Sequence, residues 1–489
     1  VRTYSLARRL TATACAAALL TSCGGGGGGG DSPAPIQVAP PTGGTPSPTP
    51  TTNACSLLSR QQWAESVLRE WYLFPETLPT SLNPAGYSSV EAYVDALTAT
   101  ARSQNKDRYF TYVTSIAEEN AFYQSGSSAG FGFRLATDSA AQRIFVAESF
   151  EATPALNAGI DRGAELLAIG TTTANLRLVS SIIAAEGTAG VTNALGPSTV
   201  GTTRVIRFRN AAGTEQTVTV AKADYQIQPV SSRYGARILD DGGRKVGYIN
   251  LRTFIDTANN QLRNAFADFR ANNVTEVIVD LRYNGGGLVS VADLFSRLLA
   301  AQRTSSDVLS YTTFRPEKAI ENSTTFYSPQ PQSIPATKIA FIGTRGSASA
   351  SELVMNSSIP YLGANAALVG TNTYGKPVGQ IAIDQAACDD RMRVVAFKTE
   401  NRDRQGDYYT GLAPFFQRTC AAADDISRPL GDPQEASIRS ALDFLAGRPC
   451  TSITASTATA STDRVGASRR ELLSPPRPNT VQREVPGLF

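Results

Sequence analysis

The spacing of apolar positions changes character twice along the chain. Over residues 55–125 it follows a helical period. Trp63, Val67, Leu68 and Trp71 share one face, Pro75 and Pro79 stop that helix, a second is predicted from Val90 to Gln104, and a short one near Ala117. Over residues 126–225 the pattern shifts to short runs bounded by glycine, such as Ile144-Phe145-Val146 and Glu165-Leu166-Leu167-Ala168-Ile169, which predicts a compact strand-rich unit. From residue 226 to 450 buried runs alternate with helical faces. Strands are predicted at Val246 to Leu251, Val277 to Leu281, Lys338 to Gly343 and Met392 to Lys398. Helix faces are predicted at Leu262, Phe266 and Phe269, at Val291, Leu294, Phe295 and Leu298, and at Ile438, Ala441, Leu442 and Leu445. Strand–helix–strand alternation of this kind calls for an α/β domain on a parallel or mixed sheet. The fold class expected is therefore multidomain α+β and α/β: a mixed-sheet domain, a helical region before it, and a strand-rich insert.

The two ends read differently. Arg2, Arg8 and Arg9 precede an apolar run from Leu10 to Leu20, the arrangement of an export signal over residues 1–22. Leu20-Thr21-Ser22-Cys23 resembles a bacterial lipobox, which implies lipidation of Cys23; the alternative is an ordinary cleaved signal. Residues 23–54, opening with glycine from Gly24 to Gly30 and continuing in proline, threonine and glycine, have the composition of a flexible linker. Residues 451–489 lack periodicity and are expected to form a disordered tail.

Charge narrows the partners. With 45 Lys+Arg against 42 Asp+Glu and a net charge of +3, the chain of 489 residues offers no basic field for nucleic acid. If the signal is cut before Cys23, Cys55, Cys388, Cys420 and Cys450 remain, an even set that favours disulfides in an exported chain. The preferred pairing is Cys388 with Cys420, and Cys55 with Cys450 joining the ends of the folded region. Scattered cysteines and the absence of histidine argue against a zinc site, and neither metal nor cofactor is expected.

The candidate chemistry lies in two turns between strand and helix. Arg282-Tyr283-Asn284-Gly285-Gly286-Gly287 follows one predicted strand, and Gly346-Ser347-Ala348-Ser349-Ala350-Ser351-Glu352 follows another. Glycines and small residues at such turns leave N–H groups free at a helix start, where an anion is well received. The competing reading is a capping segment, with serine hydroxyls meeting free N–H groups and Glu352 complementing the helix dipole. A serine nucleophile needs a base, and without imidazole the choices are a carboxylate or a neutral, desolvated lysine. Lys376, in Gly375-Lys376-Pro377-Val378-Gly379-Gln380, is the lysine at hand.

In their order, the glycine turn, the serine turn and Thr373-Tyr374-Gly375-Lys376 resemble the C-terminal processing, or tail-specific, serine protease family in its bacterial lipoprotein form. The resemblance runs from about Cys55 to Gly447. It implies a serine endopeptidase that cleaves exported polypeptides near their C-termini, lipid-anchored on the periplasmic side of the envelope. Ser349 falls on the nucleophile, Lys376 on the general base and Gln380 on the residue that orients the lysine. The oxyanion donors fall on the N–H groups of Gly287 and Ala350, with Gly286 as a substitute; Ser347 and Ser351 compete for the nucleophile's role. Two departures from the family concern loop shape: a small insertion around Pro360 to Asn365, and proline after Lys376. The strand-rich unit resembles a PDZ domain, whose loop would be Gly130-Phe131-Gly132-Phe133, presenting N–H groups to a peptide's end. The alternative is that these glycines only shape a turn. The apolar Val485-Pro486-Gly487-Leu488-Phe489 is a candidate to occupy that groove in cis. A different class of function, a lipid-anchored peptide-binding scaffold without catalysis, uses the same modules.

Overall fold

A computed structural model describes residues 54–454 and 470–489. The expected export signal, Cys23 and nearly all of the expected linker lie outside the described residues.

The central sheet runs in the order Ala236–Asp241, Arg244–Asn250, Glu276–Asp280, Lys338–Gly343, Ala366–Gly370, Arg418–Ala421. Its first pair is antiparallel and every later pair is parallel, so the sheet is mixed. Side chains alternate across a strand, and the two faces bury different sets. Val277, Val279, Ile339 and Phe341 join one core with helices Ala258–Ala271, Val289–Leu298 and Ala350–Leu362. Ile278, Ala340 and Ile342 join another with helix Ala436–Leu445. Burial on both faces explains why these strands read as continuous apolar runs.

A second sheet packs the N-terminal region against this domain. Strand Asp390–Glu400 pairs antiparallel with Tyr112–Ser115, Val308–Phe314 and Val378–Gln385, and helices Leu57–Trp71 and Val90–Leu97 share its core. The strand Tyr112–Ser115 is not visible in the apolar pattern, because all four of its residues are only half-buried. The helix predicted from Val90 to Gln104 is broken at Thr98, whose hydroxyl bonds back to Val94 O at 3.0 Å.

The insert is an antiparallel sheet of Phe133–Asp138, Arg143–Ser149, Glu165–Gly170, Thr203–Arg209 and Glu215–Ala221, with helix Val179–Leu195 in its core. Ser127–Gly130 pairs with Ala223–Gln226, so the chain enters and leaves the insert side by side. Arg134 and Arg252, both buried, grip the buried Glu148 and dock the insert on the central domain.

Two expectations are corrected. The disulfides are Cys55–Cys388 and Cys420–Cys450, not Cys388–Cys420 and Cys55–Cys450. Cys55 precedes the helix that lies on strand Asp390–Glu400, and Cys388 precedes that strand. Ala421 N–H donates to Thr451 O, which brings Cys450 beside Cys420. The tail beyond residue 470 is not disordered. Glu471–Leu472 adds to strand Phe133–Asp138, Thr480–Glu484 is helical, and Leu473, Val485, Leu488 and Phe489 are all buried. Residues 470–489 lack periodicity because their buried apolar side chains, Leu473, Val485, Leu488 and Phe489, are covered by other parts of the molecule. Among the described residues, no helix is long and apolar enough to cross a membrane.

Candidate active site

Three neighbouring parallel strands, Glu276–Asp280, Lys338–Gly343 and Ala366–Gly370, send their following loops to one end of the sheet. The crevice beyond the carboxyl ends of parallel strands is where open α/β sheets gather ligands.

The first loop is anchored at its root. Asp280 accepts from Tyr248 OH at 2.9 Å and from Arg282 Nε at 3.0 Å, and Arg282 forks onto Glu435 at 3.0 and 2.9 Å. Asn284 fixes the glycines: its Oδ1 accepts Gly286 N–H at 2.9 Å while its Nδ2 donates to Leu251 O at 2.8 Å. Gly286 and Gly287 then run at φ of 123° and 131°, a region closed to side chains.

The second loop presents Ser349 at the start of helix Ala350–Leu362, with φ 55° and ψ −115°. A non-glycine residue held there costs about 1–3 kcal/mol, which surrounding contacts must offset. Those contacts come from its neighbours. Ser347 Oγ donates to Leu281 O at 2.8 Å and Ser351 Oγ to Asn284 O at 2.9 Å, both fully buried, so the competing serines stitch the two loops together. Ser349 alone of the three is half-buried. Among the described residues, the N–H groups of Gly287 and Ala350 donate to no protein acceptor, whereas that of Gly286 is taken by Asn284.

The third loop brings Lys376. Its Nζ hydrogen-bonds Gln380 Oε1 at 3.1 Å and lies 5.0 Å from the centre of the Phe110 ring, and Gln380 Nε2 donates to Phe110 O. Burial holds the Lys376 ammonium below its ordinary range, and the Glu484 carboxylate opposes that shift. Among the described residues, no hydrogen bond joins Ser349 Oγ to Lys376 Nζ.

Sequence reasoning missed the group that couples the second and third loops. The buried Glu352 carboxylate accepts Ser349 N–H at 3.0 Å and Lys376 N–H at 2.7 Å on Oε2, and Gly375 N–H at 2.7 Å and the Thr373 hydroxyl at 2.6 Å on Oε1. Burial raises its pKa, against the pull of Thr373 and the backbone donors. The Ser-x-x-Glu spacing of a capping box was the available signal.

Beside the site, the Gly130-Phe131-Gly132-Phe133 segment is engaged. Gly132 N–H donates to Phe489 O at 2.9 Å, Phe489 N–H to Phe133 O at 3.0 Å and Leu135 N–H to Gly487 O at 2.8 Å. A cleft of about 780 Å³ adjoins it, lined by Lys376, Tyr374, Gly285, Ala348, Arg483 and Glu484 among others.

Comparison with known proteins gives a consistent result. Residues 245–414 match peptidase family S41, and residues 59–112 match the peptidase S41 N-terminal domain. The chain is 27% identical over 344 residues to carboxyl-terminal-processing peptidase 3 of Arabidopsis thaliana, covering 67% of this chain and 61% of the relative. It is 27% identical over 253 residues to a carboxyl-terminal-processing protease of Picosynechococcus, covering 52% of this chain and 55% of the relative. The chain thus spans somewhat over half the length of these relatives. In fold it is similar to the crystal structure of an S41 protease from Bacteroides fragilis, with a TM-score of 0.58 and 21% identity over 79% of this chain and 97% of that one.

Proposed function

We propose, on the match of residues 245–414 to peptidase family S41, that this chain is a serine endopeptidase of the C-terminal processing type. It cuts exported polypeptides near their C-termini, with Ser349 as nucleophile and Lys376 as general base. The observation that carries the reading is the shared carboxylate. One oxygen of Glu352 accepts the backbone N–H of both Ser349 and Lys376, which holds candidate nucleophile and candidate base on adjoining loops.

Neutral Lys376 takes the Ser349 proton as Oγ attacks the substrate carbonyl. Gln380 positions the amine, and its own side chain is tied to Phe110. The oxyanion that forms is received by the unengaged N–H groups of Gly287 and Ala350, and losing one fixed donor of this kind costs about 3–4 kcal/mol. The lysine returns its proton to the leaving amine, and water then releases the acyl group. Gly286, whose N–H is already used, shapes the loop.

Residues 126–225 act as a PDZ-like module that holds the substrate's end along Phe133–Asp138. The two disulfides support an oxidising compartment, consistent with export and with lipid attachment at Cys23. The test is cleavage of an unstructured peptide with an apolar end by Ser349→Ala and Lys376→Ala variants, together with mass spectrometry after labelling by a serine-reactive probe. Both variants should be inactive and the probe should sit on Ser349. Cleavage surviving in both variants sinks the dyad, and tight binding of the peptide by unaltered protein without turnover supports the scaffold instead.

A further inference from the structure

Residues 483–489 touch both the edge of the insert's sheet and the glycine loop of the candidate site. Gly487, Leu488 and Phe489 run antiparallel to Phe133–Asp138 as an added strand, with Arg134 bridging to Leu488. A strand added to a free sheet edge is a general mode of peptide capture. The approach is close: a Cβ on Gly130 would stand 2.9 Å from the Phe489 backbone carbon. The Phe489 side chain is buried in the insert's core with Phe131, Phe133, Ile182 and Ile183.

The residues just before this strand lie across the candidate oxyanion loop. Gly285 N–H donates to Glu484 O at 3.0 Å, and a Cβ on Gly285 would meet Arg483 O at 2.0 Å. Arg134 Nη1 donates to both Tyr283 O and Pro486 O at 2.6 Å, so one guanidinium holds the glycine loop and the tail together. Arg483 is tied to Tyr109 O at 2.6 Å. A peptide adding to Phe133–Asp138 has to take the place of residues 487–489. One reaching from the groove towards Ser349 has to cross Gly285, where residues 483 and 484 now rest.

We propose that residues 470–489 are a resident ligand of this chain's own groove, closing the approach to Ser349 until a polypeptide segment of like chemistry, apolar and carrying an aromatic side chain, displaces them. The consequence for cleavage rests on the peptidase reading; the docking does not. Docking also places Glu484 where its carboxylate favours the charged form of Lys376, partly offsetting the lowering by burial. The occupant is built to leave. Glu484 Oε2 is buried without a hydrogen-bond partner, a defect that favours release.

A ligand that binds only the open form loses affinity in proportion to the fraction open. The test therefore compares affinities in the Ser349→Ala background, where no peptide is consumed. A fluorescent peptide with the sequence of residues 485–489 is titrated by anisotropy against the full chain, a chain lacking residues 485–489, and a full-length Phe489→Ala chain. The shortened chain should bind at least about tenfold more tightly than the full chain, as expected for a groove closed about nine-tenths of the time, with Phe489→Ala in between. Equal affinity in all three overturns the proposal. If the shortened chain fails to fold by circular dichroism, the Phe489→Ala comparison decides on the same terms. Sedimentation that shows full-length dimers dissociating on loss of residues 485–489 would place the tail in a second copy and overturn docking in cis. With Ser349 intact, cleavage should rise by the same factor as affinity. Failure of every form to cleave sinks the peptidase reading and leaves the anisotropy result to judge the docking.

Discussion

Gly286→Ala is the sharpest single perturbation of this site. A Cβ at that position would lie 2.8 Å from Ser349 Cβ and 3.2 Å from both Ala348 O and Ala350 N. Carbon atoms in contact prefer about 3.5–4.0 Å, so the candidate nucleophile must retreat by roughly 1 Å or the glycine loop must lift off it. The backbone adds a second penalty: φ is 123°, where a side chain costs about 1–3 kcal/mol. Displacing a reacting group by about 1 Å can cost about a hundredfold in rate, and the same shift carries Ala350 N–H away from the oxyanion. The expected result is a loss of at least about a hundredfold in kcat/KM, with global stability lowered by about 2–4 kcal/mol. The control is Gly213→Ala, at φ 88° in the insert with nothing within 4 Å of the new Cβ. It takes the strain without the collision, so it should lose about 1 kcal/mol of stability and keep its cleavage rate. Peptide cleavage followed by chromatography and denaturant melts of both variants decide the matter. Full activity in Gly286→Ala, or an equal loss in Gly213→Ala, refutes the argument from contact.

Other perturbations separate the remaining roles. Activity should climb with pH towards an inflection below the ordinary lysine value of 10.5, because burial lowers the Lys376 pKa and only the neutral amine accepts a proton; a profile flat across that range contradicts a lysine base. The same shift means that the unfolded chain binds this proton more strongly, so stability attributable to Lys376 rises with pH between the lowered value and 10.5. Glu484→Gln removes a carboxylate that raises the Lys376 pKa in the tail-docked chain, and the inflection of kcat/KM, which reports the free protein, should move to lower pH. Glu352→Gln turns an amide donor towards backbone donors and should cost about 2–4 kcal/mol of transition-state stabilisation, read as a fall in kcat with KM little changed. Ser347→Ala and Ser351→Ala each remove one of two donors to a buried carbonyl, which keeps a backbone N–H, and should each cost about 0.5–1.5 kcal/mol in a melt, while a serine-reactive probe still labels Ser349. Cys55→Ser with Cys388→Ser should lower stability by about 2–5 kcal/mol, measured as a lower melting temperature than in the parent.

What could be read from the chain follows the range of the interaction involved. Val277, Ile278 and Val279 announce a strand buried on both faces, and Leu262, Phe266 and Phe269 announce one face of a helix, because those patterns are local. The serine turn is legible for a similar reason, since small residues between an apolar strand and an apolar helix have few uses. Glu352 is not legible as a bridge: its partners Gly375 and Lys376 arrive on the loop of the next strand, and nothing near residue 352 announces them. The cysteine pairing depends on which strand a helix lies against, information absent from spacing. Residues 471–489 look unstructured because their order is borrowed, with Phe489 covered by Phe131 and Phe133 rather than by its own neighbours.

The bond between Cys55 and Cys388 spans 333 positions of sequence, and Gly286, Ser349 and Lys376 all fall inside that span. A nick by some other enzyme within it, for instance at the surface bulge around Ile320, which is 91% exposed, therefore leaves two fragments still joined by sulfur. Such clipped molecules run as one species on a non-reducing gel and as two after a thiol reductant. Damage from the outside need not scatter the machinery.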